Sequence, residues 1–156
     1  MEASTNSAAA CVRELLEQIA NGIGVEATVE VSEEPDGGIT ARFVGEDVGL
    51  LIGHHGQTID AIQHLAYRIA FRRCGGPLRV AVDAAGYRER RAVALRAAAD
   101  QAAETAIHDR RPIALEAMSA LERKVVHEHL KARRDVETYS EGQEPDRRLV
   151  VAPLVE

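Results

Sequence analysis

Between residues 25 and 74 the spacing of apolar side chains changes from every second position to every third or fourth. That change restricts the chain to folds in which a hairpin feeds directly into helices. Val25, Ala27, Val29 and Val31 alternate with Glu26, Thr28 and Glu30, and after Pro35-Asp36-Gly37-Gly38 the alternation resumes at Ile39, Ala41 and Phe43. Successive residues of a strand point to opposite faces, so this pattern predicts a β-hairpin with one buried face. From Val48 the interval lengthens. Val48, Leu51 and Ile52 precede Gly53-His54-His55-Gly56, and Ile59, Ile62, Leu65, Ala66 and Ile69 follow at helical intervals. Two helices flanking a glycine-bracketed loop are predicted, the second ending near Cys74-Gly75-Gly76-Pro77. Upstream, Val12, Leu15, Leu16 and Ile19 predict a helix over 8–21, with residues 1–7 unstructured; downstream, Leu78, Val80 and Val82 predict a third strand. The order over residues 8–84 is α-β-β-α-α-β.

Residues 85–110 read as a connecting helix, because alanine is dense and neither proline nor glycine interrupts the run after Gly86. At about 1.5 Å per residue it would be a rod on the order of 36 Å. Pro112 opens a second unit, residues 111–156: a strand over 113–118, a helix from Ser119 to about Arg133, and strands over 136–139 and 147–151. Glu122, three positions after Ser119, completes a capping-box pattern. The fold class is α+β.

Charge is divided along the chain. The formal net charge is -6, yet residues 1–70 hold 3 basic against 11 acidic side chains and residues 71–156 hold 16 against 14. The groups able to meet phosphate therefore lie in the second half. Seventeen of the 19 basic residues are arginine, whose planar fork can grip a phosphate with two hydrogen bonds. The uncharged stretch from Val48 to Ile59 is too short to span a bilayer, so no membrane insertion is expected. Met1-Glu2 opens no secretory signal, and a cytoplasmic location is expected. Cys11 and Cys74 have no partner at ligand spacing and read as free thiols. His127 and His129 stand about 200° apart around a helix, a poor arrangement for one metal. No nucleophile elbow, P-loop ending or dinucleotide fingerprint is present, so no catalytic residue, metal or cofactor is expected, and no enzyme.

Two constellations remain. Where Gly53-His54-His55-Gly56 opens a helix, outward backbone N–H groups and the positive end of the dipole favour an anion, and glycine lets a sugar-phosphate chain approach closely. Leu51, Ile52 and the open side of the hairpin are expected to form a shallow groove for unstacked bases. In the second unit Arg123 and His127, four apart, share a helix face, and Lys131 and Arg134 continue the stripe.

The run from Leu50 to Gln63, Leu-Leu-Ile-Gly-His-His-Gly-Gln-Thr-Ile-Asp-Ala-Ile-Gln, in an α-β-β-α-α-β frame, resembles a KH domain of the bacterial (type II) arrangement. The run from Asp83 to Arg91 resembles the segment that leaves the KH unit in Jag (SpoIIIJ-associated, KhpB/EloR) proteins. Met118 to His127, followed by Val136 to Gly142 and Arg147-Arg148, resembles the Arg-x-x-x-His domain that closes them. The resemblance covers residues 8–153. It implies a type II KH domain joined by a long helix to a small α/β Arg-x-x-x-His domain. It also implies a non-catalytic binder of single-stranded RNA, with single-stranded DNA as a second candidate, and a post-transcriptional role tied to cell elongation and division.

By the resemblance Gly53, His54, His55, Gly56 and Gln57 clamp the backbone of about four nucleotides. Arg123 and His127 are the second domain's motif, and Lys131, Arg147 and Arg148 are its helpers. The alternative is an adaptor that pairs its KH surface with a small single-KH protein of the KhpA kind, or with a second copy of itself, nucleic acid being secondary. Longer members carry an amino-terminal domain and charged linker that residues 1–10 are too few to supply.

The family's loop usually carries a basic residue between its glycines, where this chain has His54 and His55. With an ordinary imidazole pKa of about 6.5, acidification adds positive charge beside the phosphate. Affinity for single-stranded RNA is therefore expected to rise as pH falls from about 7.5 to about 6. A binding titration flat over that range would remove the histidines from the contact.

Overall fold

A computed structural model describes residues 2–154, and the chain divides into two compact units at Arg88/Glu89. The first unit opens with α1 (Glu2–Ile23), which begins six residues before the predicted start. The expected unstructured end is corrected for residues 2–7, which lie in the helix; no glycine or proline interrupts them before Ala8-Ala9-Ala10. Met1 lies outside the described residues. The helix ends where Gly24 takes φ 84° and the Val25 N–H donates to the Ala20 carbonyl at 2.9 Å.

β1 (Thr28–Glu33) pairs antiparallel with β2 (Ile39–Val44), from Thr28 opposite Val44 to Glu33 opposite Ile39. In the turn between them the Gly38 N–H, with Arg79 adding its charge, holds the Asp36 carboxyl below its usual range. β2 also pairs parallel with β3 (Val80–Ala84), giving the order β1-β2-β3. A parallel neighbour demands a crossover, and the glycine loop with α2 (Gln57–Cys74) supplies it. Val12 and Leu16 of α1, Ile39 and Phe43 of β2, Ile59 of α2 and Val82 of β3 meet in one core. Each such burial contributes about 1.5–3 kcal/mol. Arg88 fastens β3 to α2: its Nε donates to the Val82 carbonyl at 2.9 Å, and its terminal nitrogens reach Asp60 at 2.8 Å and Gln63 at 3.0 Å.

The predicted helix before the loop is a single 3-10 turn, Val48–Leu51. Leu51 is fully buried and Ile52 nearly so, both within the core. They cannot line a groove for bases, as expected above, because the tight turn aims them inward. Leu50 is the apolar residue left outside, 65% exposed.

The second unit contains most of α3 (Tyr87–Asp109), then β4 (Ile113–Ala117), α4 (Ala120–Leu130), β5 (Val136–Glu141) and β6 (Arg148–Pro153). Its sheet is antiparallel in the order β4-β6-β5, leaving β5 at an edge. Leu95, Ala99, Ala102 and Ala103 of α3 share one core with Val126 and Leu130 of α4, Val136 of β5, and Leu149 and Val151 of β6. Residues 89–109 are therefore part of the second unit, not a free connector. The seam is mostly alanine, which reads as helix propensity rather than as an apolar stripe.

Both bonds of the capping box form between Ser119 and Glu122, and Glu122 also receives Arg91 of α3 at 2.7 Å. Arg133 pairs with Glu104 of α3 at 2.8 Å and with Asp135 at 2.7 Å; its hydrogen bonds hold the Asp135 carboxyl below its usual range. Among the described residues no helix is long and apolar enough to cross a membrane.

A fragment beginning at residue 111 lacks the α3 half of this core and is expected to be unfolded, whereas a fragment beginning at residue 89 folds. Amide dispersion in a two-dimensional NMR spectrum separates the two outcomes.

Candidate nucleic-acid interface

Three of the four loop residues have positive φ: Gly53 at 72°, His55 at 51° and Gly56 at 78°. A Cβ on Gly53 would run into the Thr58 side chain, and one on Gly56 would fall 2.6 Å from the Tyr87 ring. Glycine is thus needed twice over, for the backbone angle and for the space. His55 holds a left-handed conformation that costs a side-chain-bearing residue about 1–2 kcal/mol. The His54 and His55 rings stack with centroids 3.9 Å apart and planes at 27°. Two imidazolium charges at that spacing would repel, which limits what full protonation adds.

The outward row of amides expected at the start of α2 is shorter than the sequence implied. The Ile52 carbonyl accepts the N–H groups of Thr58 at 3.0 Å and Ile59 at 3.1 Å, and the Gln57 N–H donates to His54. These bonds tie the two ends of the loop together at the expense of free donors. What stays outside is the positive end of an 18-residue helix whose cap position, Gly56, provides no capping side chain. Gly53, His54 and Gln57 are exposed around it, while His55 is half-buried and Gly56 buried.

In the second unit an open cleft of about 600 Å³ lies between α4 and the β5–β6 end of the sheet. Ala120, Lys124 and His127 line it from α4, Thr138 and Ser140 from β5, and Glu144, Arg147 and Leu149 from the chain beyond. His127 is exposed, with Nδ1 2.5 Å from Thr138 Oγ1, so strand and helix together orient the ring.

Arg123 touches the cleft but is only 8% exposed, and its fork is committed. One terminal nitrogen donates to the Met118 carbonyl at 2.7 Å and the other to Glu144 at 2.7 Å. In this arrangement it positions the start of α4 and the β5–β6 loop rather than standing open as a donor. Lys131, at the end of α4, sits 3.9 Å from Glu128 and does not line the cleft; nor does Arg134, three residues further on. Arg147 lines the cleft, whereas Arg148 is exposed in register with Glu141 and does not.

Sequence reasoning missed Lys124, although its place three residues before His127 on one helix face was readable. It also missed Thr58 and Tyr87, which shape the loop, and Glu144, for which the sequence carries no signal. His129 is turned to Asp100 at 2.9 Å.

Comparison with known proteins agrees with this geometry. A family model described as the KhpA/KhpB KH domain matches residues 13–83, and the model of the Arg-x-x-x-His domain matches residues 93–153. The chain is 31% identical over 140 residues to the RNA-binding protein KhpB of Clostridium symbiosum, covering 89% of this chain and 63% of that one. It is 34% identical over 151 residues to KhpB of Lactiplantibacillus plantarum, covering 97% and 47%, and 35% identical over 141 residues to KhpB of Bacillus subtilis, covering 88% and 66%. The chain thus spans roughly half to two thirds of the length of these curated relatives.

Replacing Arg123 with Ala leaves the Met118 carbonyl and Glu144 without their donor and removes a buried side chain. The second unit is expected to lose about 2–3 kcal/mol of stability, read as a lowered melting temperature in calorimetry. An unchanged melting temperature would mean that the arginine is not a structural tie.

Proposed function

Because the chain belongs to the Jag (KhpB) family, with a KH domain followed by an Arg-x-x-x-His domain, we propose that it is a non-catalytic binder of single-stranded RNA. The observation that carries this reading is the exposed, uncapped start of α2 behind a loop whose glycines have no room for a side chain. A phosphate settling at Gly53 and His54 meets the helix's positive end at close range, and Gln57 offers an amide side chain beside it. The cleft of the second unit adds Lys124, His127 and Arg147 as further donors. Two modules on one chain raise each other's effective concentration, so weak single contacts sum to a useful affinity. The relatives' printed names support RNA as the ligand. The post-transcriptional role and the tie to cell elongation and division are put forward on family membership alone, as is a cytoplasmic location.

A second reading, an adaptor pairing its KH surface with another KH protein, is favoured by Leu65 and Phe71, which stand 46% and 44% exposed on α2. Exposed leucine and phenylalanine on one helix suit a protein partner more than a phosphate chain.

Substituting the glycines would disturb the loop itself, so the decisive variant carries His54→Asp with His55→Asp. Aspartate tolerates the left-handed angle at position 55, and both changes place negative charge where phosphate should lie. The RNA reading predicts a loss of roughly tenfold or more in affinity for a labelled single strand, with the melting temperature unchanged. Undiminished RNA binding would favour the adaptor.

A further inference from the structure

In the second unit one carboxylate stands among four cationic or imidazole groups. Arg123, Lys124, His127 and Arg147 all line the cleft, and Glu144 is the acidic side chain that lines it with them. Glu144 reaches in from the loop between β5 and β6, places an oxygen 2.7 Å from the Arg123 guanidinium, and keeps 58% of its side chain in solvent. Such a contact is unlike the ion pairs that hold the unit together. Arg91–Glu122, for example, lies 21% and 16% exposed between two helices. Among the described residues Lys124 has no carboxylate partner, and Arg147 donates only to the Gly142 carbonyl at a long 3.4 Å. The cleft therefore keeps two uncommitted cations beside an arginine whose outer nitrogen is occupied by a largely solvated side chain.

A carboxylate and a phosphate present the same feature to a guanidinium, two oxygens in a plane with its donors. We propose that Glu144 is a built-in competitor for nucleic-acid phosphate in this cleft: it occupies Arg123 in the unliganded chain, and a phosphate entering between Lys124 and Arg147 displaces it. The inner nitrogen of Arg123 stays on the Met118 carbonyl throughout, so the guanidinium is already aimed when its outer nitrogen changes partner. The competing carboxylate sets a threshold. A lone phosphate must overcome it, while a strand already held at the KH loop arrives at high effective concentration and overcomes it readily. Glu144 thus favours strands long enough to engage both modules over short fragments and free nucleotides. This inference rests on the RNA reading above.

The test uses the full chain and a labelled single-stranded RNA of about twelve nucleotides over a salt series. Glu144→Gln keeps an oxygen for Arg123 to donate to, so the fold is retained, but removes the charge. It is expected to bind about three- to tenfold tighter, with the slope of log affinity against log salt steeper by about 0.7 as one more phosphate contact forms. The gain should be proportionally larger for a short fragment, and should persist when His54→Asp and His55→Asp disable the loop. Lys124→Ala, an exposed position that leaves the Arg123 contacts alone, is expected to weaken binding and flatten the slope. If wild type binds RNA but Glu144→Gln binds no tighter and with the same slope, the competitor role is wrong and the RNA reading stands. If wild type binds no single strand at any salt, both are overturned.

Discussion

Two α-carbons with no space beside them govern the first unit. Thr58 closes on Gly53 and the Tyr87 ring closes on Gly56, so the chain can leave the hairpin, turn through three positive φ angles and enter α2 along one path only. The Ile52 carbonyl locks that path by taking the first two N–H groups of α2 after Gln57. With the entry of α2 fixed, Ile59, Ile62, Ala66 and Ala70 fall on the core, and the chain returns in the direction that lets β3 pair parallel to β2. Steric closure at two glycines is thus linked to sheet topology, and the same closure leaves the positive end of the helix facing outward.

Net charge is a poor guide to what this chain binds, because many of its arginines are already engaged. Arg42 lies on Glu30, Arg79 on Asp36, Arg88 on Asp60, Arg91 on Glu122, and Arg133 between Glu104 and Asp135. The exposed pairs among these are worth about 0–1 kcal/mol each and serve more to arrange elements than to stabilise them. The donors open at the two sites are few and local: His54 at the loop, and Lys124 and Arg147 in the cleft. An acidic chain can therefore offer two electropositive spots without an electropositive surface.

The sequence was most legible where packing and local pattern agree. Val29, Ile39 and Phe43 alternate because one face of the sheet is buried, and Ser119 with Glu122 announces the start of α4 through bonds made within four residues. It was least legible where a role depends on distant partners. The Ala99, Ala102 and Ala103 seam looked like a spacer until the sheet was placed against it. Leu51 and Ile52 looked available for bases until the 3-10 turn drew them inward. Arg123 looked like the leading donor, since spacing cannot reveal that Met118 and Glu144 lie at its two ends. Lys131 and Arg134 extended the stripe only on the assumption that the helix continued past Leu130.

The central claim is that an unpaired strand is gripped at the uncapped start of α2. Its most direct test is to follow the backbone amides of the labelled full chain by NMR while single-stranded RNA, and separately an RNA duplex, is added. The account predicts that the signals of Gly53 through Thr58 move progressively with the single strand and hardly at all with the duplex. Loop amides that stay in place while signals elsewhere in the first unit shift would contradict it.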